Sequence, residues 1–222
     1  MKEKEYIKVN REAYNKFAPQ HKSRHDNISK YDLTDQDWVE LLSTKLLTSN
    51  SKNVLEIGPG TGRILRIFEE ELNVRTTAVE LASEMVEIAK EKSPNTLFIV
   101  DDILNVNFMS KQFDAIFMGA LIHNFPLDDA ELLLKKCYSW LRDDGKVLIY
   151  TTIHEKSEEG YFEKEDYSGK IVRFRKKFTE KELYDLVSSV GFKVDYTMYT
   201  EEPDRNKKWI VYICKKLSST QS

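Results

Sequence analysis

Short, near-continuously apolar runs alternate along the chain with stretches whose apolar residues recur every three or four positions. The runs fall at 53–57, 75–80, 96–100, 113–118 and 146–151. Unbroken rather than alternating apolarity is what strands show when helices cover both faces of a parallel sheet. Between the runs, Leu127, Ala130, Leu134, Cys137 and Leu141 make one helical stripe, and Trp38, Leu41, Leu42, Lys45 and Leu46 make most of another. Thr179 and Glu182 stand at capping-box spacing before Leu183, Leu186, Val187 and Val190, and Gly191 supplies a stop. Ser83 reads as the N-cap of a helix carrying Met85, Ile88 and Ala89. The pattern predicts an α/β fold built on a doubly wound sheet. Two final strands, at 192–198 and 209–215, are joined by a polar loop with no helix in it, which makes them antiparallel neighbours.

Two segments stand outside this alternation: the N-terminal stretch, with Tyr6, Tyr14, Phe17 and Tyr31, and a segment rich in Glu, Lys, Arg and Tyr between the fifth strand and the capped helix. The expected organisation is a lid segment over 1–33, a main domain over 34–216 with an accessory insertion at about 153–178, and a loose tail at 217–222. Segments hung outside a sheet often cover a ligand site.

Composition narrows the function classes. With 41% hydrophobic residues among 222 the chain can bury a substantial core. Lys and Arg total 34 against 37 Asp and Glu, so nucleic acid gripped by bulk positive charge is not expected. No apolar run nears the ~18 residues that cross a bilayer, and the charged start MKEKEYIKVN lacks an apolar leader. Cys137 and Cys214 lie far apart and the four histidines have no metal spacing, so neither a disulfide framework nor a metal is expected. These features predict a soluble cytoplasmic protein.

The sharpest local signal is Val54-Leu55-Glu56-Ile57-Gly58-Pro59-Gly60-Thr61-Gly62-Arg63, an apolar strand that turns through three glycines into a helical run. Glycine serves where the backbone takes positive φ or a ligand must come close. The helix N-terminus that follows sits at the carboxyl edge of the first strand, where doubly wound sheets bind ligands. A dinucleotide fingerprint would place its third glycine at position 63, where Arg63 stands, and pyrophosphate would be repelled by Glu56. The acid favours a ligand presenting a cationic or hydrogen-donating group. Glu80, about 22 residues beyond Gly58, ends the second strand at the distance from which an acid reaches ribose hydroxyls.

On these residues the sequence resembles the class I S-adenosylmethionine-dependent methyltransferases, from about Tyr14 to Lys216. The most specific part is Glu56-x-Gly58-x-Gly60-x-Gly62 with Glu80. The resemblance implies a Rossmann-like sheet of seven strands in the order 3-2-1-4-5-7-6, the last antiparallel, and S-adenosyl-L-methionine as cofactor. It implies that the glycine loop holds the methionyl part, that Glu56 binds the ammonium, and that Glu80 binds the ribose hydroxyls with Leu81 and Met85 beside the adenosine. One of Asp101 and Asp102 accepts the adenine amino group, and the Ile103 amide touches the ring. Gly119, ending the fourth strand, lies beside the methyl donor, and Tyr14 begins a lid helix that contacts the cofactor.

Methyl transfer from a sulfonium is an in-line displacement, so alignment and water exclusion carry much of the catalysis. His123 follows the fourth strand, and a histidine suits a general base near neutral pH, although positioning or packing is its competing role. Tyr150, His154 and Tyr161 are candidate acceptor contacts, with Phe162, Tyr167 and Phe174 as further pocket walls. His21 and His25 are expected on the surface, as is Arg24, whose alternative is the methionyl carboxylate. The cluster Lys170, Arg173, Arg175, Lys176 and Lys177 reads either as a site for an anionic acceptor or as a solvated face balanced by nearby glutamates. Gly119-Ala120-Leu121-Ile122 replaces the motif of DNA amino-methylating relatives, and the Pro-Cys nucleophile of base C5-methylation is absent. The expected reaction is therefore transfer to an O or N atom of a small molecule, with a protein or RNA methyltransferase or a non-catalytic cofactor-binding module as alternatives.

Overall fold

The computed structural model describes residues 3–26, 31–163 and 171–216, with the side chains of 24–26 excepted. Each apolar run becomes a strand: β1 (Asn53–Ile57), β2 (Arg75–Glu80), β3 (Leu97–Val100), β4 (Phe113–Gly119) and β5 (Leu141–Ile153). A hairpin follows, β6 (Glu158–Glu163) and β7 (Val172–Lys177), and the described part of the chain closes with β8 (Phe192–Glu202) and β9 (Lys207–Lys216). The helices are α1 (Glu5–Asp26), α2 (Asp35–Leu41), α3 (Arg63–Arg66), α4 (Ser83–Lys92), α5 (Leu127–Trp140) and α6 (Glu180–Ser189). Seven strands form one sheet in the order β3-β2-β1-β4-β5-β9-β8, in which β9 runs antiparallel to both its neighbours. With the separate β6–β7 hairpin set aside, this is the Rossmann-like order 3-2-1-4-5-7-6.

Both faces of the sheet are covered, which is why its central strands are apolar throughout. On β4, Ile116 and Met118 face a core shared with Leu134 and Cys137 of α5, while Ala115 and Phe117 face one shared with Trp38, Leu42 and Phe68. A third, smaller core joins Ala13, Phe17 and Ala18 of α1 to Ala82, Met85 and Ile171. Burying Phe17, Met85 and Ile171 stabilises by ~1.5–3 kcal/mol each. That cluster fixes α1 across the carboxyl edge of the sheet.

Several local expectations are corrected. Leu141, assigned to the helical stripe, opens β5. Phe113 pairs with Leu141 and Ala115 with Lys146, so the polar residues between them bulge from the ladder. Ser83 is the first helical residue of α4 rather than its cap; Ala82 is the cap, with no side-chain bond. The exposed amide of Glu84 is satisfied instead by Asn15 Oδ1 of α1, at 3.1 Å. Thr179 caps α6 through the Glu182 amide, but the Glu182 carboxylate turns to Lys176, leaving half a box. The complete box is at Thr34 and Asp37, starting α2.

Candidate active site

The tips of β1 and β2 and the loop after β4 open onto one cavity of ≈ 300 Å³. Its roof is α1. Tyr6, Asn10, Tyr14 and His21 succeed each other at helical spacing and line the cavity together. His21, expected on the surface, is thus inside; the side chains of Arg24 and His25 lie outside the described residues.

Gly58, Gly60 and Gly62 all adopt positive φ, at 70°, 56° and 79°, where glycine escapes the clash other residues suffer. Their surroundings differ. A Cβ on Gly60 would have only His21 within reach, at 4.0 Å, whereas one on Gly62 would strike the Ala89 backbone at 2.9 Å. Gly58 and Gly60 line the cavity; Gly62 lies outside it and permits close packing of the loop on α4.

Two buried carboxyls meet beneath the loop. Glu80 accepts hydrogen bonds from the Gly60 amide at 3.1 Å and from the Ala82 amide at 3.0 Å. Burial raises its pKa, and those amides pull it back. Glu56 is 2% exposed, and its Oε2 has no hydrogen-bond partner among the described residues. Burial, together with the nearby charge of Glu80, holds the Glu56 carboxyl well above the usual range. A buried oxygen with no donor is costly unless a ligand supplies one.

Leu81, Met85, Asp101, Asp102, Ile103 and Gly119 also line the cavity. Asp101 Oδ1 accepts from the Asp102 amide at 2.7 Å, and Asp102 Oδ1 from the Leu104 amide at 3.0 Å, which fixes both acids at the end of β3. Asp102 is the more enclosed, and burial raises its pKa.

The rest of the lining includes aromatic and basic side chains. Tyr150 stacks on Trp209 at 4.7 Å between ring centres and meets Trp38 edge-on at 5.5 Å. His123 lines the cavity from the turn after β4, 2% exposed, with Nδ1 2.8 Å from Thr151 Oγ1. Tyr14 donates its hydroxyl to Asn124 Oδ1 and receives Arg173 Nη1, each at 3.1 Å. Asn10 clamps the same region: its amide accepts from the Phe174 N–H at 2.7 Å and donates to the Asn124 carbonyl at 3.2 Å.

Of Tyr150, His154 and Tyr161, Tyr150 lines the cavity, as do Arg173 and Arg175 of the basic cluster. His154 is held near Thr152 Oγ1 at 3.2 Å, its backbone bonded to Phe178, and Tyr161 is 49% exposed on β6. Phe174 is a core residue against Tyr6, Phe162 lies under Lys177, and Lys170 and Tyr167 fall outside the described residues. Asn10, Trp38, Asn124 and Trp209 were not anticipated. Their signal was available only in part: Trp38 read as core, and the two asparagines carry no motif.

Residues 54–145 match the family model described as a methyltransferase domain. The chain is 30% identical over 159 residues to phosphoethanolamine N-methyltransferase of Plasmodium falciparum, covering 69% of this chain and 58% of that protein. It is 27% identical to demethylmenaquinone methyltransferase of Thermotoga maritima, covering 65% and 63%. The chain therefore spans less than two thirds of either relative. Among solved structures, 1,6-didemethyltoxoflavin-N1-methyltransferase of Burkholderia thailandensis, with bound 1,6-didemethyltoxoflavin and S-adenosylhomocysteine, superposes with TM-score 0.75 at 20% identity, over 96% of this chain and 89% of that one. The [4+2]-cyclase SpnF superposes with TM-score 0.71 at 11% identity, over 95% and 96%. At such identities these likenesses establish the shared fold.

Proposed function

The chain belongs to the class I S-adenosylmethionine-dependent methyltransferase superfamily, and we propose that it transfers a methyl group from that cofactor to an O or N atom of a small molecule. The observation that carries the reading is the pair of buried carboxyls at neighbouring strand tips under a positive-φ glycine loop, one with an oxygen lacking any donor. That oxygen fits an ammonium, and Gly60 leaves room for close approach. When bound, S-adenosylmethionine supplies an electrophilic methyl group on a sulfonium.

The protein's part follows from its own residues. Glu56 accepts the ammonium, Glu80 the ribose hydroxyls, and Asp102 or Asp101 the adenine amino group, with Leu81, Met85 and the Ile103 amide around the ring. Tyr14 and Asn10 close α1 over the site and exclude water. Trp38, Tyr150 and Trp209 wall the acceptor's side. His123, whose Nδ1 lies 2.8 Å from Thr151 Oγ1, takes the acceptor proton.

A roofed cavity supports a small acceptor over a polymer. The test is a labelled-methyl assay against metabolite pools. Label in a small molecule supports the proposal. Label in protein or RNA overturns the acceptor class, and cofactor binding without any transfer points to a non-catalytic module.

A further inference from the structure

Strand β7 carries four cations, and they divide into two kinds. Lys176 pairs with Glu182 at 2.8 Å, and Lys177 pairs with Glu158 at 2.8 Å. These two are the balanced, structural charges that a mixed-charge segment ordinarily holds. Arg173 and Arg175 have no carboxylate partner among the described residues, and both line the cavity. Arg173 is 7% exposed; its Nη1 donates to the Tyr14 hydroxyl, and its buried Nε has no hydrogen-bond partner. Arg175 Nη2 donates to Thr152 Oγ1 at 3.0 Å. Each guanidinium thus answers only a neutral hydroxyl, and a buried cation without a counter-charge is strongly disfavoured.

Their geometry is cooperative. Two positions apart on one strand, they lie on the same face of β7. Burial and the neighbouring Arg173 charge lower the Arg175 pKa to about 10. Two planar guanidinium forks side by side match the oxygens of a phosphate or carboxylate. The cavity lining thus holds Glu56 and Glu80 at the tips of β1 and β2 and the two arginines on β7.

We infer that Arg173 and Arg175 form an oxyanion subsite, so that the acceptor is a small molecule bearing a phosphate or carboxylate group. The inference rests on the methyl-transfer reading for the word acceptor, though not for the anion site itself.

The test uses thermal unfolding of the intact protein, with inorganic phosphate or acetate compared with chloride at equal ionic strength. Each is run with and without saturating S-adenosylhomocysteine. The inference predicts that phosphate or acetate raises the melting temperature above the chloride control, and does so in the S-adenosylhomocysteine-loaded protein too. The stronger of the two identifies the oxyanion. Arg175→Gln should weaken the anion about tenfold or more while S-adenosylhomocysteine still binds. If that variant fails to fold, Arg175→Lys, which keeps the charge and loses the fork, should show an intermediate loss. No anion effect in the loaded wild-type protein overturns the inference. So does an effect that S-adenosylhomocysteine abolishes, since the arginines would then hold the cofactor's own carboxylate. Arg175-dependent anion binding without any S-adenosylhomocysteine binding supports the anion site and defeats the cofactor reading instead.

Discussion

The Gly60 amide donates to Glu80 Oε2 at 3.1 Å, so the glycine loop after β1 is tied to the tip of β2. Glu80 therefore shapes the loop as well as offering lone pairs to a ligand. Glu80→Ala should weaken S-adenosylhomocysteine binding by about 1–3 kcal/mol, since a charged acceptor is lost and the Gly60 and Ala82 amides lose their partner. Titration calorimetry of the variant checks this. Unchanged affinity would remove Glu80 from the site.

Glu56 ties stability and binding to pH in opposite directions. Its pKa in the fold lies above the unfolded value, so the folded state holds the extra proton between the two. Stability from this group is full below the unfolded pKa and is lost as pH rises through the folded one. Glu56→Gln should therefore raise the melting temperature of the ligand-free protein at pH 8. An ammonium favours the ionised carboxylate, so S-adenosylhomocysteine affinity should rise with pH through the same window, with proton release. In Glu56→Gln that pH dependence should vanish and affinity should fall. Scanning calorimetry and titrations in buffers of different ionisation enthalpy measure both effects. A destabilised ligand-free variant would contradict the assignment.

Gly60 and Gly62 should separate binding from folding. Both sit at positive φ, but a methyl group on Gly62 meets the Ala89 backbone, whereas on Gly60 it enters the cavity. Gly62→Ala should lower stability by about 1–3 kcal/mol, or a few °C, through strain in the packing against α4. Gly60→Ala should cost proportionately more ligand affinity than stability. Melting curves and titrations on the two variants settle the comparison; equal losses on both axes would argue against it.

His123→Ala should lower kcat about 10²-fold or more while S-adenosylhomocysteine affinity is unchanged. Thr151→Val, which removes the hydroxyl beside Nδ1, should give a smaller loss and shift the acid limb of the pH–rate profile. Full activity in His123→Ala would leave this residue a packing role.

How much of this was legible in the sequence depends on where each residue's reason lies. The parallel strands and the carboxyl-edge site follow from unbroken apolar runs and from Glu56, Gly58, Gly60 and Glu80, whose demands are local, whereas the strand order follows from the family resemblance those residues carry. Gly62 obeys the same motif, yet its requirement comes from Ala89, a contact that spacing does not reveal. Asn15 and Asn10 were invisible because they serve backbone groups on distant elements, Glu84 in one case and Phe174 in the other. In the basic cluster, four like-charged residues of one strand read alike until the fold gives two of them carboxylates and leaves two facing the cavity.

The central claim is that the tips of β1 and β2 converge on one adenosyl ligand. Titration calorimetry of the folded wild-type chain with S-adenosylhomocysteine tests it most directly. The account predicts a saturable one-to-one heat that Glu80→Ala diminishes. A flat titration on protein with a cooperative melting transition would contradict it.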